Sequence, residues 1–376
     1  MANLKRVIIC RATPVAPDPR VAKIARSLQE GNYAVSVLGW DMSGSYPREE
    51  WVNGVQIYRL RVTASFGRGI INLAHQLRWQ VALGWWLINK RSNYDLIHAC
   101  DFDTVLPALM MKIVWGKKVV YDIFDFYADM LRATPGLIKR LIRWVDLRVI
   151  RFVDAVILAD DARKEQIKGS RPKRLVVINN VLDAGNTYIA NKKMTPASLT
   201  LAYVGNLQIE RGLLSLIEVL ENNPDISLDL AGFGGDEQEI IQTAKELTNI
   251  QWHGRVEYER ALEINRLADA LIATYDPSIP NHRYASPNKV FEAMVLGKPI
   301  IVARHTNMDE IINKYRCGLV VEYGNTDSLN SALLELKDKP DLRKRLGENG
   351  RKAFETEFNW SRMQARLLSL YSSLNS

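Results

Sequence analysis

Residues 285–301 read ASPNKVFEAMVLGKPII. Ser286 suits a helix N-cap and Pro287 the first helical position. Val290, Phe291, Met294 and Val295 then share one apolar face, while Asn288 and Glu292, four apart, share another. Lys289 lies three residues before Glu292. Gly297 and Pro299 close the helix and lead into a short apolar strand at 299–302. A helix feeding a buried strand is half of a βαβ unit. Its N-terminus offers unpaired backbone N–H groups and a positive dipole end. Lys289 adds a full charge there, which makes a place to hold a diphosphate. Glu292, one turn deeper, can accept hydrogen bonds from two ribose hydroxyls. Taken alone, an ordinary capped helix with a surface ion pair is the simpler reading of this stretch.

Working outward, the alternation repeats along the whole chain of 376 residues. Strand candidates in the first half are 6–10, 35–38, 54–58, 96–99, 118–122, 155–159 and 175–178. Asp18 and Pro19 open a helix with Val21, Ile24, Ala25 and Leu28 on one face, and Gly31 ends it. A polar stretch at 183–198 reads as a linker. Strand candidates then resume at 199–204, 227–231, 250–253, 270–273, 299–302 and 318–321, and helices follow from about Thr326 to Leu374. The expected fold class is α/β, with two open parallel sheets in series. The first domain spans 1–182 and the second 199–355. Ligands of such sheets bind at the carboxyl ends of strands, facing a cleft between the domains.

Charge is uneven. Residues 1–190 hold 28 Lys and Arg against 17 Asp and Glu, a net of +11, and residues 191–376 hold 22 against 25, a net of −3, which together give the chain's +8. Phosphate-rich acceptors, an anionic membrane surface and nucleic acid are all possible partners of a basic half. A solvated basic surface is the plain alternative. Cys10, Cys100 and Cys317 lack metal-like spacing, and a reducing, cytoplasmic setting is expected. The first residues run straight into a strand pattern without a secretory signal, and no uncharged apolar run approaches a membrane span.

The segments together resemble glycosyltransferase family 4, of GT-B architecture. Besides 285–301, the resemblance rests on Asp18-Pro19-Arg20-Val21, Asp95-Leu96-Ile97-His98-Ala99, Tyr121-Asp122-Ile123-Phe124-Asp125 and Tyr203-Val204-Gly205-Asn206 with Glu210-Arg211-Gly212. Ala231-Gly232-Phe233-Gly234, His253-Gly254-Arg255-Val256 and Phe358-Asn359-Trp360-Ser361 follow in the family's order. The resemblance implies two Rossmann-like domains facing across a cleft, with the final helix, 356–376, packing back on the first. It implies transfer of a sugar, with retention, from a nucleotide-diphosphate sugar (UDP by preference) to a glycan or lipid-linked acceptor in cell-surface glycan synthesis. Arg211 stands where the family has a phosphate-binding lysine, and a guanidinium keeps that role. Glu292 matches the second Glu of the E-x7-E motif. Gly205, Asn206, Gly234, Arg255, Val256, Ser286, Pro287, Asn288 and Lys289 complete the implied donor site. Arg211 and Lys289 would stabilise the leaving diphosphate, with Asp125 at the reacting centre. Arg20, Asp125 and the loop after Thr63 would meet the acceptor, as would His98 at its strand's carboxyl end, for which a structural place in the core is an equal reading.

Three positions depart from the family. Tyr284 replaces the first Glu of E-x7-E, which contacts the donor sugar. Asn206 stands where a basic residue is common. Phe124 stands where many members have His, although Asp125 keeps the acidic neighbour. These changes fit altered donor contacts or a non-catalytic sugar- or nucleotide-binding relative. A non-hydrolysing nucleotide-sugar epimerase is the alternative enzyme on this architecture.

Asp101-Phe102-Asp103 has D-x-D form, but helix capping by Asp101 is expected, and no metal or other cofactor is required. The five histidines lack ligand spacing, and Gly232-Phe233-Gly234-Gly235 is too loose for a dinucleotide fingerprint. Leu73, Leu77, Trp79, Leu83, Trp85, Trp86 and Leu87, with Arg68, Arg78, Lys90 and Arg91, mark 70–91 as a basic aromatic helix. Packing on its sheet is expected, and peripheral contact with the inner membrane face is the functional alternative. No nucleic-acid module is present.

Overall fold

The computed structural model describes residues 4–16, 18–64, 69–131, 134–183, 198–285 and 288–374, without the side chains of 69–73. Ser286, Pro287, Arg68, Leu73, most of the linker and the loop after Thr63 lie outside the described residues. The chain divides into two compact units, Met1–Asn179 with Met363–Ser376, and Asn180–Arg362.

The first unit holds strands β1 (Arg6–Arg11), β2 (Ala34–Asp41), β3 (Glu49–Val52), β4 (Val55–Arg61), β5 (Leu96–Cys100), β6 (Lys118–Ile123), β7 (Ala155–Leu158) and β8 (Leu175–Val177). They form one sheet in the order β3-β4-β2-β1-β5-β6-β7-β8. Every pair is parallel except β3–β4. The central strands are buried because helices cover both faces of the sheet: in β1, Val7, Ile8, Ile9 and Cys10 are all buried. Strand β3 was not expected. Its sequence, Glu-Glu-Trp-Val, has no apolar run, and it is held as an antiparallel edge through the Asn53-Gly54 turn, both residues at positive φ.

On one face lies the helix Pro19–Glu30, capped as expected by Asp18, whose carboxylate accepts from the Val21 N–H at 3.2 Å. The end of the helix Trp360–Ser373 joins this unit, with Leu367, Leu370 and Tyr371 buried. On the other face the helices Gly69–Asn89, Phe102–Trp115 and Gly136–Phe152 share one core. Trp79 stacks on Trp40 at 5.1 Å, and Leu83, Val105, Ala108, Met111, Val149 and Ile150 fill the space beside it.

The second unit holds β9 (Leu199–Asn206), β10 (Ile226–Phe233), β11 (Ile250–Trp252), β12 (Ala270–Ala273), β13 (Ile300–Ala303) and β14 (Gly318–Val321), all parallel. Their order is β11-β10-β9-β12-β13-β14. The chain thus leaves β9 in one direction and returns on its other side at β12. The carboxyl ends of β9 and β12 form the switch point where loops part and leave a crevice. In the first unit the same geometry falls between β1 and β5. Both polar clusters of interest sit at these two positions.

Candidate active site

In the second unit, three elements converge on the switch point. The loop after β9 ends in a short 3-10 turn, Ile209–Arg211, which places Arg211. Thr274 and Tyr275 follow β12, and the Thr274 hydroxyl donates to the Arg211 carbonyl at 3.2 Å, fixing the turn to the neighbouring strand end. The helix Asn288–Leu296 brings Lys289. Its register is set by Val290, Phe291, Met294 and Val295, all buried, with Phe291 packed on Phe358 at 5.1 Å.

Tyr275 is the centre of the cluster. The Arg211 guanidinium lies 4.0 Å from its ring centroid, and the Lys289 ammonium donates to its hydroxyl at 3.4 Å. Lys289 also lies 4.5 Å from the Tyr203 ring. Burial favours the neutral phenol of Tyr275, but Lys289 and Arg211 outweigh it and lower its pKa. Burial opposes the charge on Lys289, but the two tyrosines and Glu292 outweigh it and hold the ammonium above its usual value. Burial pushes Tyr203 up to about 12. Its hydroxyl donates to the Asn206 carbonyl at 2.6 Å. Two adjacent cations therefore share one aromatic side chain, with Glu292 near enough to Lys289 to favour its charge. The buried Arg211 Nε has no hydrogen-bond partner among the described residues. This is an arrangement suited to a diphosphate.

Gly205 faces this pair. A Cβ there would lie 2.6 Å from Lys289 Nζ, and its φ of +152° disfavours a side chain. Glu292 is buried, and Asn265 donates to its Oε2 at 2.9 Å. Asn288 is exposed and accepts from the Asn180 side-chain amide at 2.8 Å. Asn206 is exposed at the end of β9. Arg255 is exposed and lies 4.4 Å from the Phe233 ring, while Val256 packs under it against Ala202 and Ala231. At Gly234 a Cβ would stand 2.1 Å from the Leu207 carbonyl, so the close approach of the protein's own backbone requires glycine there.

In the first unit, Arg11 at the end of β1 pairs with Asp18 at 3.3 Å and, closely, with Asp101 after β5. The Asp101 carboxylate accepts from the Phe124 N–H at 2.8 Å and makes no capping bond, which corrects its assignment as a helix cap. Its φ of +62° turns it out of the helix path toward Arg11. Arg11 and Arg20 lie 4.1 and 4.7 Å from the Phe124 ring centroid. Phe124 is thus a neutral plate held by two cations. Asp125 is half-exposed and pairs with Arg163 at 2.7 Å.

Arg20 and His98, expected at the acceptor, are buried. Arg20 grips Asp122 at 2.8 Å and the Ile178 carbonyl at 2.8 Å. His98 joins Asp122 at 3.3 Å and the Tyr371 hydroxyl at 2.7 Å. Burial would raise the Asp122 carboxyl, but Arg20 and His98 outweigh it and hold it below its usual value. Within this unit both residues are internal ties.

Sequence reasoning missed Tyr275, Tyr203 and Asn265. Tyr203 lies within β9 and Tyr275 two residues beyond the end of β12, so a tyrosine toward the carboxyl end of each switch-point strand was the available signal. Asn265 gave none, since only packing of its helix brings it to Glu292.

Residues 16–181 match the family model described as glycosyl transferase 4-like domain, and residues 189–353 match that of glycosyl transferases group 1. The chain is 22% identical over 317 residues to a glycogen synthase of Mycobacterium tuberculosis, covering 78% of this chain and 75% of the relative. It is 30% identical over 191 residues, 48% of each protein, to a GDP-mannose-dependent monoacylated alpha-(1-6)-phosphatidylinositol monomannoside mannosyltransferase of Corynebacterium glutamicum. Its fold is similar to that of Anabaena HepE in complex with UDP and glucose, with a TM-score of 0.74, 14% identity and 99% and 100% of the two chains covered. Two parallel-sheet α/β units, both family models and relatives of this kind place the chain among the GT-B glycosyltransferases of family 4 type.

Proposed function

We propose that the protein moves a hexosyl group from a UDP-sugar to a glycan or lipid-linked acceptor, with retention at the anomeric carbon and without a metal ion. The observation that carries this is the convergence of Arg211 and Lys289 on Tyr275 at the switch point of the second unit. The donor diphosphate would lie against the two cations, which would stabilise the charge that grows as the glycosidic bond breaks. Arg211 would use its unpartnered Nε and Lys289 would turn from the tyrosine hydroxyl. Glu292 would accept bonds from the ribose, with Asn265 orienting it. The base would rest by Arg255, Val256 and the half-exposed Phe233 ring.

No carboxylate stands out as a covalent nucleophile. The acceptor oxygen is therefore taken to attack the face that the diphosphate leaves, forming the new C–O bond as the donor's C–O bond breaks. The leaving phosphate oxygen would accept the acceptor's proton. Asp125 would position the acceptor or the reacting sugar. UDP is favoured because the HepE structure holds it. The GDP-mannose-dependent relative makes GDP the competitor. Peripheral membrane contact through the basic first unit, at the cytoplasmic face, belongs to this reading. Among the described residues no helix is long and apolar enough to cross a membrane.

Calorimetry with UDP and GDP, in chelator, tests the donor site. Micromolar binding of one nucleotide, lost in Arg211→Ala and in Glu292→Ala, is the expected result. Folded protein that binds neither overturns it. Phe124 and Tyr284 favour a non-catalytic relative, and nucleotide binding without release of free nucleotide from any supplied sugar donor and acceptor would establish that reading.

A further inference from the structure

The helix Gly136–Phe152 is apolar on two sides. Its inner side, Val149 and Ile150, belongs to the core of the first unit. Its outer side has no such role: Leu137, Leu141, Trp144 and Phe152 are 77%, 59%, 55% and 52% exposed. At the helical angle of about 100° per residue, these four and the exposed Arg140, Arg148 and Arg151 fall on a single stripe. Asp146 is the helix's one acid, and it points inward, accepting from the Tyr121 hydroxyl at 2.8 Å. The Arg148 guanidinium lies 4.9 Å from the Trp144 ring, so basic and apolar groups are interleaved.

The helix Gly69–Asn89 repeats the pattern without any Asp or Glu. Leu77, Val81 and Trp85, four apart, are 59%, 71% and 67% exposed, with Arg78 beside them. They border a groove of about 650 Å³ that Arg48 and Arg61 also line. The helix Phe102–Trp115 packs between the other two and adds exposed Ile113 and Val114. Three adjacent helices on one face of one sheet thus carry large outward apolar side chains. Contiguous exposure of that kind marks an interaction surface.

The charge decides the occupant. A second copy of this face would bring the same arginines and be repelled. An acid-free stripe of arginine, tryptophan and aliphatic residues is complementary to lipid phosphates above acyl chains. We infer that the outer faces of the helices Gly136–Phe152 and Gly69–Asn89 form a docking surface for an anionic lipid bilayer. Trp144, Trp85 and the aliphatic side chains enter the headgroup region, and the arginines stay at phosphate depth. The inference deepens the membrane part of the proposed function and rests on that part alone, independent of the donor chemistry.

Flotation of the full chain with phosphatidylcholine vesicles, and with equal mixtures of phosphatidylcholine and phosphatidylglycerol, tests it. The protein is expected to float with the anionic vesicles and to be released by salt. Arg140→Gln, Arg148→Gln and Arg151→Gln should each weaken binding roughly fivefold. Leu141→Glu with Trp144→Glu should abolish it. Urea midpoints and nucleotide binding should stay unchanged in all of these exposed-face variants. Folded protein that ignores anionic vesicles, or variants that float like the parent, overturn the inference. So does light scattering that finds a dimer dissolved by the same substitutions, since the face would then join copies of the chain. Loss of nucleotide binding in the parent with flotation intact would sink the donor reading and leave the lipid surface standing.

Discussion

Gly205→Ala is the substitution that separates a designed phosphate site from an incidental pair of cations. The new Cβ would stand 2.6 Å from Lys289 Nζ, where ordinary contact begins at 3.4 Å, so the ammonium must retreat by roughly 0.8 Å. Lysine is flexible and yields, and the cost falls on whatever Lys289 was holding. A charge-assisted hydrogen bond to a phosphate contributes about 1.5–3 kcal/mol, which is roughly a 10- to 150-fold change in affinity. The φ of +152° adds a separate backbone strain of about 1–3 kcal/mol, visible as lost stability. The two effects part in a cycle with Lys289→Ala. Calorimetry should find nucleotide binding weakened 10- to 150-fold in each single variant and no further in the double variant. Urea unfolding should show the strain equally in Gly205→Ala with or without Lys289. Additive losses of affinity, or unchanged affinity in Lys289→Ala, would refute the assignment of Lys289 to the diphosphate.

Three further outcomes are expected. Asp122→Asn should destabilise the protein by about 3–5 kcal/mol in urea, since it leaves the buried Arg20 without its charge partner; in the parent, the lowered Asp122 pKa gives stability that is present above about pH 4 and lost as pH falls further, through the folded value. Asp146 and Asp103 act oppositely: burial pushes each up to about 7, so the parent should lose stability between pH 4 and pH 7 as they ionise, and Asp146→Asn, which still accepts from Tyr121, should flatten part of that slope in urea midpoints taken at pH 5 and pH 8. Asp125→Ala should lower turnover tenfold or more while leaving the nucleotide dissociation constant unchanged, because Asp125 lies in the first unit and the donor cluster in the second; a matching loss of nucleotide affinity would remove it from the acceptor side.

Asp18, Pro19 and the spacing of Val21, Ile24, Ala25 and Leu28 were enough to place the first helix, because capping and helical periodicity are local properties. The all-apolar runs such as Val7–Cys10 announced parallel strands covered on both faces. Strand β3 escaped because an edge strand needs only one partner and no apolar run. Arg211, Lys289 and Glu292 were legible through their order along the chain. Their distances were not, and neither was the tyrosine they share.

The α/β alternation, the uneven charge of the two halves and the residue types of the candidate diphosphate site were already legible along the chain. All of these follow from local periodicity and from composition. Which polar residues are spent on their own unit emerged only from the packing of the folded chain. Arg20 and His98 read as acceptor contacts, yet both are spent on Asp122 inside the first unit. Tyr275 read as nothing, yet Arg211 and Lys289 both rest on it. The reason is that strand order in a parallel sheet brings together chain ends tens of residues apart, and burial at those ends is set by packing that no short window of sequence encodes.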